Sequence, residues 1–215
     1  MLNIWEDWAI NKPSIVESII LSKLGLYRHK IYARKCKIIN ISHKEAADFL
    51  NQNHIQGSCN ASVRYGLVYN GELISLMTFG KKRTMMMGGK TNRESWELLR
   101  FCTKLNTIVV GGASKLLSHF IKEQGPKIIE SFSSHDTSNG NVYKQLGFME
   151  SSNSASSYWY VDKHMIRYPR FTFNKQTLIE QGYDASLTEE QIMAQRGFLK
   201  IYDSGQTKWI LKCSK

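Results

Sequence analysis

The stretch from Ser62 to Gly80, SVRYGLVYNGELISLMTFG, constrains the fold of this chain more than any other. Two runs rich in β-branched and aromatic residues flank Asn70-Gly71, the pair that type I′ turns favour because both central residues must take positive φ. An antiparallel hairpin from about Val63 to Phe79 follows, and the rest of the chain has to be arranged around it.

Before the hairpin, IVESIILSKLG (Ile15 to Gly25) spaces its apolar residues as a helix does, after a Pro13-Ser14 start and before a C-capping glycine. Residues 38–41, IINI, predict a buried strand, and Ser42 with Glu45 three residues on predicts a capping box opening the helix EAADFLNQN. After the hairpin, KKRTMMMGGKTNRE (Lys81 to Glu94) has no periodicity and predicts a mobile basic loop. SWELLRFCTKL predicts a strand, VVGGASKLL a glycine turn into a helix, KIIESFSS a strand, VYKQLGF a short helix and SSYWYVD a strand. In the last fifty residues two short helical patterns precede FLKIYDSGQTKWIL, which predicts a hairpin turning at Asp203-Ser204-Gly205. The order is that of an α/β (α+β) fold: a mixed central sheet flanked by helices, with a small C-terminal extension of two helices and a hairpin.

Charge narrows the partners. The chain of 215 residues carries 29 Lys or Arg against 18 acids, a formal charge of +11, so attraction to a polyanion is expected, with solubility alone as the simpler alternative. Three segments combine cations with aromatic residues or flexible backbone: Arg28, Lys30, Arg34, Lys35 and Lys37; Lys81, Lys82 and Arg83; and Arg167 and Arg170 in RYPRFTF. On one face they would form a track for phosphates with stacking platforms for bases, which makes nucleic acid, DNA in the first place, the expected partner. The four cysteines are dispersed and form no C-x-x-C pair, the first residues do not read as a signal peptide, and no apolar run reaches the roughly 20 residues of a membrane span. A cytoplasmic protein with no membrane partner is expected.

Few side chains are candidates for chemistry. His54, in a polar loop entering the hairpin, is a base, a ligand or simply a hydrogen-bonding residue. His135 and Asp136 lie at the end of a core strand, where α/β folds place ligands. A metal site from His54, His135, Asp136 and Tyr143 is conceivable by residue type, but the spacing is not diagnostic, and no metal is expected.

The element order resembles the GNAT superfamily of acyl-CoA-dependent N-acyltransferases. That resemblance implies acetyl-CoA or another acyl-CoA as cofactor, its pyrophosphate met at a helix N-terminus by Gly111, Gly112, Ala113 and Ser114, with Lys115 adding a cation. It departs from the family where an Arg or Gln is usual before the glycines, since Ile108 to Val110 are apolar. SNGNVYKQLGF is similar to the family's late helix; Asn141 stands near its start, and Tyr143 holds the position of the tyrosine that protonates the departing thiolate.

Further stretches, among them EDWAINKPSIVESIILSKLG, KIYARKCKI, FLNQNHIQG and WELLRFCTKLNT, look like the C-terminal half of phage Hef-type homing endonucleases, where a GNAT-like module follows a nuclease. The module also resembles the phage Mom proteins, which modify adenine in DNA, through Asn53-His54, SSHD and Tyr143. In the homing-nuclease relatives an aspartate is expected where Ser134 stands; the nearest acid here is Asp136. On this resemblance residues 1–37 are an N-terminal helix and basic linker left from the end of a nuclease, 38–162 the GNAT-like domain and 163–215 the C-terminal extension. Glu6 and Asp7 alone assemble no nuclease site. Three functions stay open: an N-acyltransferase acting on or near nucleic acid, an inactive GNAT-like DNA-binding module, and a protein acetyltransferase directed at a host defence factor.

Overall fold

A computed structural model describes residues 2–81 and 95–213. Pro13, whose missing N–H costs nothing at a helix start, opens α2 (Pro13–Lys23) immediately after α1 (Glu6–Asn11), and Gly25 takes φ +73° just past its end. The segment expected as a basic linker becomes β1 (His29–Tyr32), a 3₁₀ turn over Ala33–Lys35, and β2 (Lys37–Asn40). The Ser42–Glu45 capping box forms as expected and starts α3 (His43–Asn53). The hairpin forms from β3 (Val63–Tyr69) and β4 (Glu72–Lys81), with Asn70 and Gly71 both at positive φ. The loop expected between Lys81 and Glu94 lies outside the described residues, Lys81 excepted.

Next come β5 (Ser95–Thr103), β6 (Thr107–Val110), α4 (Gly112–Gln124), β7 (Ile128–Ser134), α5 (Asn141–Gln145) and β8 (Met149–Ser154). The chain closes with β9 (Tyr158–Val161), β10 (Arg167–Pro169), α6 (Lys175–Glu180), α7 (Glu189–Gln195), β11 (Leu199–Tyr202) and β12 (Gln206–Lys212). The central sheet has seven strands in the order β2-β3-β4-β5-β7-β12-β8, antiparallel throughout except between β5 and β7. β1 pairs in parallel with β6 apart from that sheet.

Helices cover both faces. α4 lays Leu116, Leu117 and Phe120 on β3 and β4, where Phe120 stacks on Phe79 with ring centroids 3.5 Å apart. On β4, Met77 belongs to that cluster, while the adjacent Leu76 belongs to the cluster of Ala46, Phe49 and Leu50 from α3, as strand alternation requires. Each such buried side chain contributes roughly 1.5–3 kcal/mol.

One expectation is corrected. The residues flanking Asp203-Ser204-Gly205 do not form a hairpin: β11 pairs with β9 in a three-stranded sheet ordered β10-β9-β11, while β12 enters the central sheet between β7 and β8. The turn itself is real, for Asp203 Oδ1 accepts from the Gly205 N–H at 2.9 Å and Gly205 takes φ +80°. Alternation identifies a strand without naming its partner. Residues 155–205 are therefore an insert between two neighbours of the central sheet, with its own small core of Tyr160, Leu178, Ile192 and Met193. Strand pairs accordingly run across the boundaries expected at 37 and 162.

The insert is latched to the N-terminal segment. The Arg167 guanidinium forms a two-pronged pair with the buried carboxylate of Asp7, Nε to Oδ2 at 3.0 Å, and packs 5.0 Å from the Trp5 ring, 4.9 Å from Trp8 and 5.7 Å from Trp159. Among the described residues no helix is long and apolar enough to cross a membrane.

Candidate active site

The parallel pairing of β5 with β7 is short. It joins Ser95 to Ile128, Trp96 to Ile129 and Glu97 to Glu130, and then stops, although β5 continues along β4 as far as Thr103. A bulge occurs where the strands part: Arg100 pairs with Thr78 and Leu98 with Phe79, leaving Leu99 as the extra residue. The Ser131 hydroxyl donates to the Leu98 carbonyl at 2.8 Å and ties the last point of contact. Beyond it lies a cavity of about 410 Å³, lined by Leu98 to Phe101 of β5, Phe132 to Ser134 of β7, and residues of α1, α5 and the insert.

Tyr143 of α5 stands at this parting. Its phenol oxygen lies 3.0 Å from Ser131 Oγ and donates to the Phe132 carbonyl at 3.2 Å, while its ring stacks on Trp209 and meets the edge of Phe148. Burial pushes the phenol above its ordinary range, against the Ser131 hydrogen bond and the Arg100 charge, so at neutral pH it is a neutral donor.

His54 lines the same cavity from the C-cap of α3. Its Nδ1 accepts from the Gln56 N–H at 3.1 Å, and burial, then Arg100 and Lys12, push its pKa down to about 3. The neutral ring with that bond carries its proton on Nε2, which makes it a donor; the reading as a base or ligand at Nδ1 does not fit. His135 and Asp136, adjacent in sequence, serve different ends. His135 Nδ1 lies 2.9 Å from the Ser204 carbonyl and Nε2 lies 2.8 Å from Thr207 Oγ1, so both nitrogens are used in holding the β11–β12 turn, and the residue does not line the cavity. Asp136 does line it, and folds back so that Oδ2 accepts from the Ser134 hydroxyl at 3.2 Å.

Two more cavities adjoin the first. One of about 400 Å³ is lined by Gly111 to Ser114 at the start of α4 and shares Phe101, Val142 and Leu146 with the first; another, of about 330 Å³, runs under α2 and shares His54 and Phe101. The space from the start of α4 to the phenol of Tyr143 is therefore bordered by common side chains. Both glycines at this helix start have structural reasons. Gly111, the N-cap, takes φ +75°, and a Cβ on Gly112 would lie 3.0 Å from Val109 Cγ1. Among the described residues no side chain caps the first N–H groups of α4. The apolar Val109, where the GNAT pattern is polar, is buried in the core. Lys115, expected to add a cation there, instead donates its ammonium to the carbonyls of Ala33 (2.9 Å) and Cys36 (2.6 Å). Asn141 opens α5, is exposed and lines none of the three cavities.

No protein-family model matches the chain, and no curated protein matches it. Among solved structures it is similar to a Bacillus subtilis acetyltransferase in complex with CoA (15% identity, TM-score 0.47, covering 84% of this chain and 100% of that one). It is also similar to the ribosomal-protein-S18-alanine N-acetyltransferase of Escherichia coli (12%, 0.49, 84% and 95%) and to a GNAT family acetyltransferase of Elizabethkingia anophelis with acetyl-CoA bound (11%, 0.46, 83% and 99%).

The basic candidates separate. Arg28, Lys30, Arg34, Lys35 and Lys37 are all exposed, with Lys30 and Arg34 over the Tyr32 ring. Lys81 lies over Trp96, and Lys82 and Arg83 fall outside the described residues. Arg170 is exposed on the insert beside Tyr158. Arg167 is corrected: consumed by Asp7 and three tryptophans, it offers no charge to a phosphate. Sequence reasoning missed Arg100, Ser131 and Trp8. None stands in a motif: Arg100 and Trp8 line the cavity through the parting of β5 from β7 and the docking of α1, and Ser131 meets the Tyr143 phenol at that parting.

Proposed function

We propose that the protein is an acyl-CoA-dependent N-acyltransferase of the GNAT type. The observation that carries this is the parting of β5 from β7 with the Tyr143 phenol held at the parting. The edge of β5 beyond Glu97 has no strand partner on the β7 side and lines the cavity, so its backbone groups suit an extended arm bearing amides, as an added strand would be held. The start of α4, with uncapped N–H groups and the positive end of the helix dipole beside a cavity, suits a pyrophosphate. The residues present thus fit an acyl-CoA, which supplies a thioester carbonyl open to attack by an amine. Tyr143 keeps its proton at Oη, placed by Ser131 and Phe132, for delivery to the leaving sulfur.

Calorimetric titration with acetyl-CoA tests this. A Gly112 variant would test packing against Val109, so the informative change is Ser114→Glu, an exposed residue of the first turn that lines the cavity. Binding by the parent and its loss in Ser114→Glu are expected. No binding by the folded parent overturns the proposal.

A second reading concerns the partner. Between Glu17 and Glu45 the chain has no acidic residue, while Lys23, Arg28, Lys30, Arg34, Lys35 and Lys37 are exposed and form no ion pair among the described residues. With the exposed rings of Tyr27 and Tyr32, this strip suits the phosphates and bases of nucleic acid. With the first reading, the acyl group goes to an amine held beside nucleic acid. Anisotropy of a labelled oligonucleotide across a salt series checks it: affinity falling steeply with salt, and falling further in Arg34→Glu/Lys35→Glu, is expected, and affinity unchanged by that double variant overturns it.

A further inference from the structure

Among the described residues two carboxylates line the cavity beside Tyr143, and they differ in what they have left to offer. Asp203 is spent. Its Oδ1 accepts from the N–H groups of Ser157 (2.8 Å) and Gly205 (2.9 Å), and its Oδ2 from the Trp159 indole at 3.2 Å. Asp136 is 3% exposed; its Oδ2 meets the Ser134 hydroxyl, and its Oδ1 is buried with no hydrogen-bond partner among the described residues. A buried carboxylate oxygen left without a donor carries the full cost of leaving water, so such a group calls for a donor that arrives from elsewhere. Among the described residues, neither cation that lines the cavity is bonded to it: Arg167 is paired with Asp7, and Arg100 donates Nη1 to the Leu99 carbonyl at 2.8 Å while its Nε is buried without a partner.

We infer that the part of this cavity around Asp136 is the acceptor subsite and that Asp136 receives the ammonium of a small aliphatic amine. The inference rests on the acyltransferase reading and goes beyond it by naming the acceptor class. Met77, Leu98, Phe101 and Trp159 give the cavity an apolar wall for the body of the acceptor, and about 410 Å³ is the scale of a small-molecule site. A carboxylate discriminates between two kinds of amine: an aliphatic one is an ammonium at neutral pH, and an arylamine is neutral. In the reaction the ammonium first gives one proton to solvent. Its nitrogen then bonds to the acyl carbon as the carbon–sulfur bond breaks, the sulfur takes the Tyr143 proton, and the second proton lost by the nitrogen restores the phenol. One acyl-CoA and one ammonium give one amide, one thiol and one proton.

The isomers 2-phenylethylamine and 4-ethylaniline differ in this respect and little in size. With acetyl-CoA, the wild-type protein is expected to acetylate 2-phenylethylamine in preference to 4-ethylaniline. In Asp136→Asn the KM for 2-phenylethylamine is expected to rise about tenfold or more, the size of a lost charge-assisted bond, with acetyl-CoA affinity unchanged. Unchanged acetyl-CoA affinity also shows that this variant folds. Calorimetry of 2-phenylethylamine without acetyl-CoA reads the subsite directly, with binding by the parent that Asp136→Asn loses. The inference is overturned if the substitution leaves KM and binding as they were, or if 4-ethylaniline serves equally well, a result pointing to a neutral nucleobase amine. Failure to bind acetyl-CoA, with amine binding intact, overturns the acyltransferase reading alone.

Discussion

The phenol oxygen of Tyr143 and the hydroxyl of Ser131 meet at 3.0 Å at the place where β5 and β7 part, and Ser131 is bonded in turn to the Leu98 carbonyl across the gap. The residue on the short helix is thereby registered to the end of the strand pairing. Tyr143→Phe keeps the stacking on Trp209 and removes the donor. A fall in kcat of about 100-fold is expected, the usual scale for a lost general acid, with acetyl-CoA affinity unchanged in calorimetry.

Lys115 is a clamp. Its ammonium joins the first turn of α4 to the 3₁₀ turn between β1 and β2 through two carbonyl oxygens. Lys115→Met retains most of the stem and leaves both carbonyls without this donor, so urea unfolding is expected to show a loss of about 2 kcal/mol. Acetyl-CoA affinity should change far less than in Ser114→Glu.

The Asp7–Arg167 pair holds α1 against the insert with both side chains nearly buried. Asp7→Ala strands a guanidinium among Trp5, Trp8 and Trp159, and a loss of about 3–5 kcal/mol is expected in chemical denaturation. Replacing both partners together, as in Asp7→Leu/Arg167→Met, is expected to cost less than the single change, because no charge is then left alone.

His54 sets a pH dependence. Its folded pKa of about 3 lies below the ordinary value near 6.5 that it regains on unfolding. Between those values the unfolded chain binds a proton that the folded chain does not. The stability is present in full above about pH 6.5 and is lost as pH falls toward 3. Stability measured by denaturation at a series of pH values is expected to fall less steeply in His54→Gln over that window; an identical slope would count against the neutral ring.

The parts of the fold legible in the sequence are those with local causes. Asn70-Gly71 takes positive φ at both positions wherever the hairpin sits, Ser42 and Glu45 cap their own helix, and Pro13 and Gly25 bracket α2 through backbone properties they carry with them. Tyr143 stands out as a candidate because its stretch SNGNVYKQLGF is continuous and resembles a known one. Partner choice was not legible. Nothing in LKIY or QTKWILK tells that one strand joins β9 and the other enters between β7 and β8, since alternation is the same for any partner.

The candidate site shows the same division. The residue types at Gly111 to Ser114 and at His54, His135 and Asp136 are written in the chain, as is the excess of cations between Glu17 and Glu45. Their employment was decided by contacts from far away: Lys115 turned to Ala33, Arg167 to Asp7, His135 to Ser204, and Asp136 into the cavity with one oxygen unmatched. Local preferences act over a few bonds and survive in any surroundings. The burial of a charge, the use of a hydrogen-bond donor and the opening between two strands exist only once residues distant in the chain have been packed together, and in this protein those are the features that shape the candidate site.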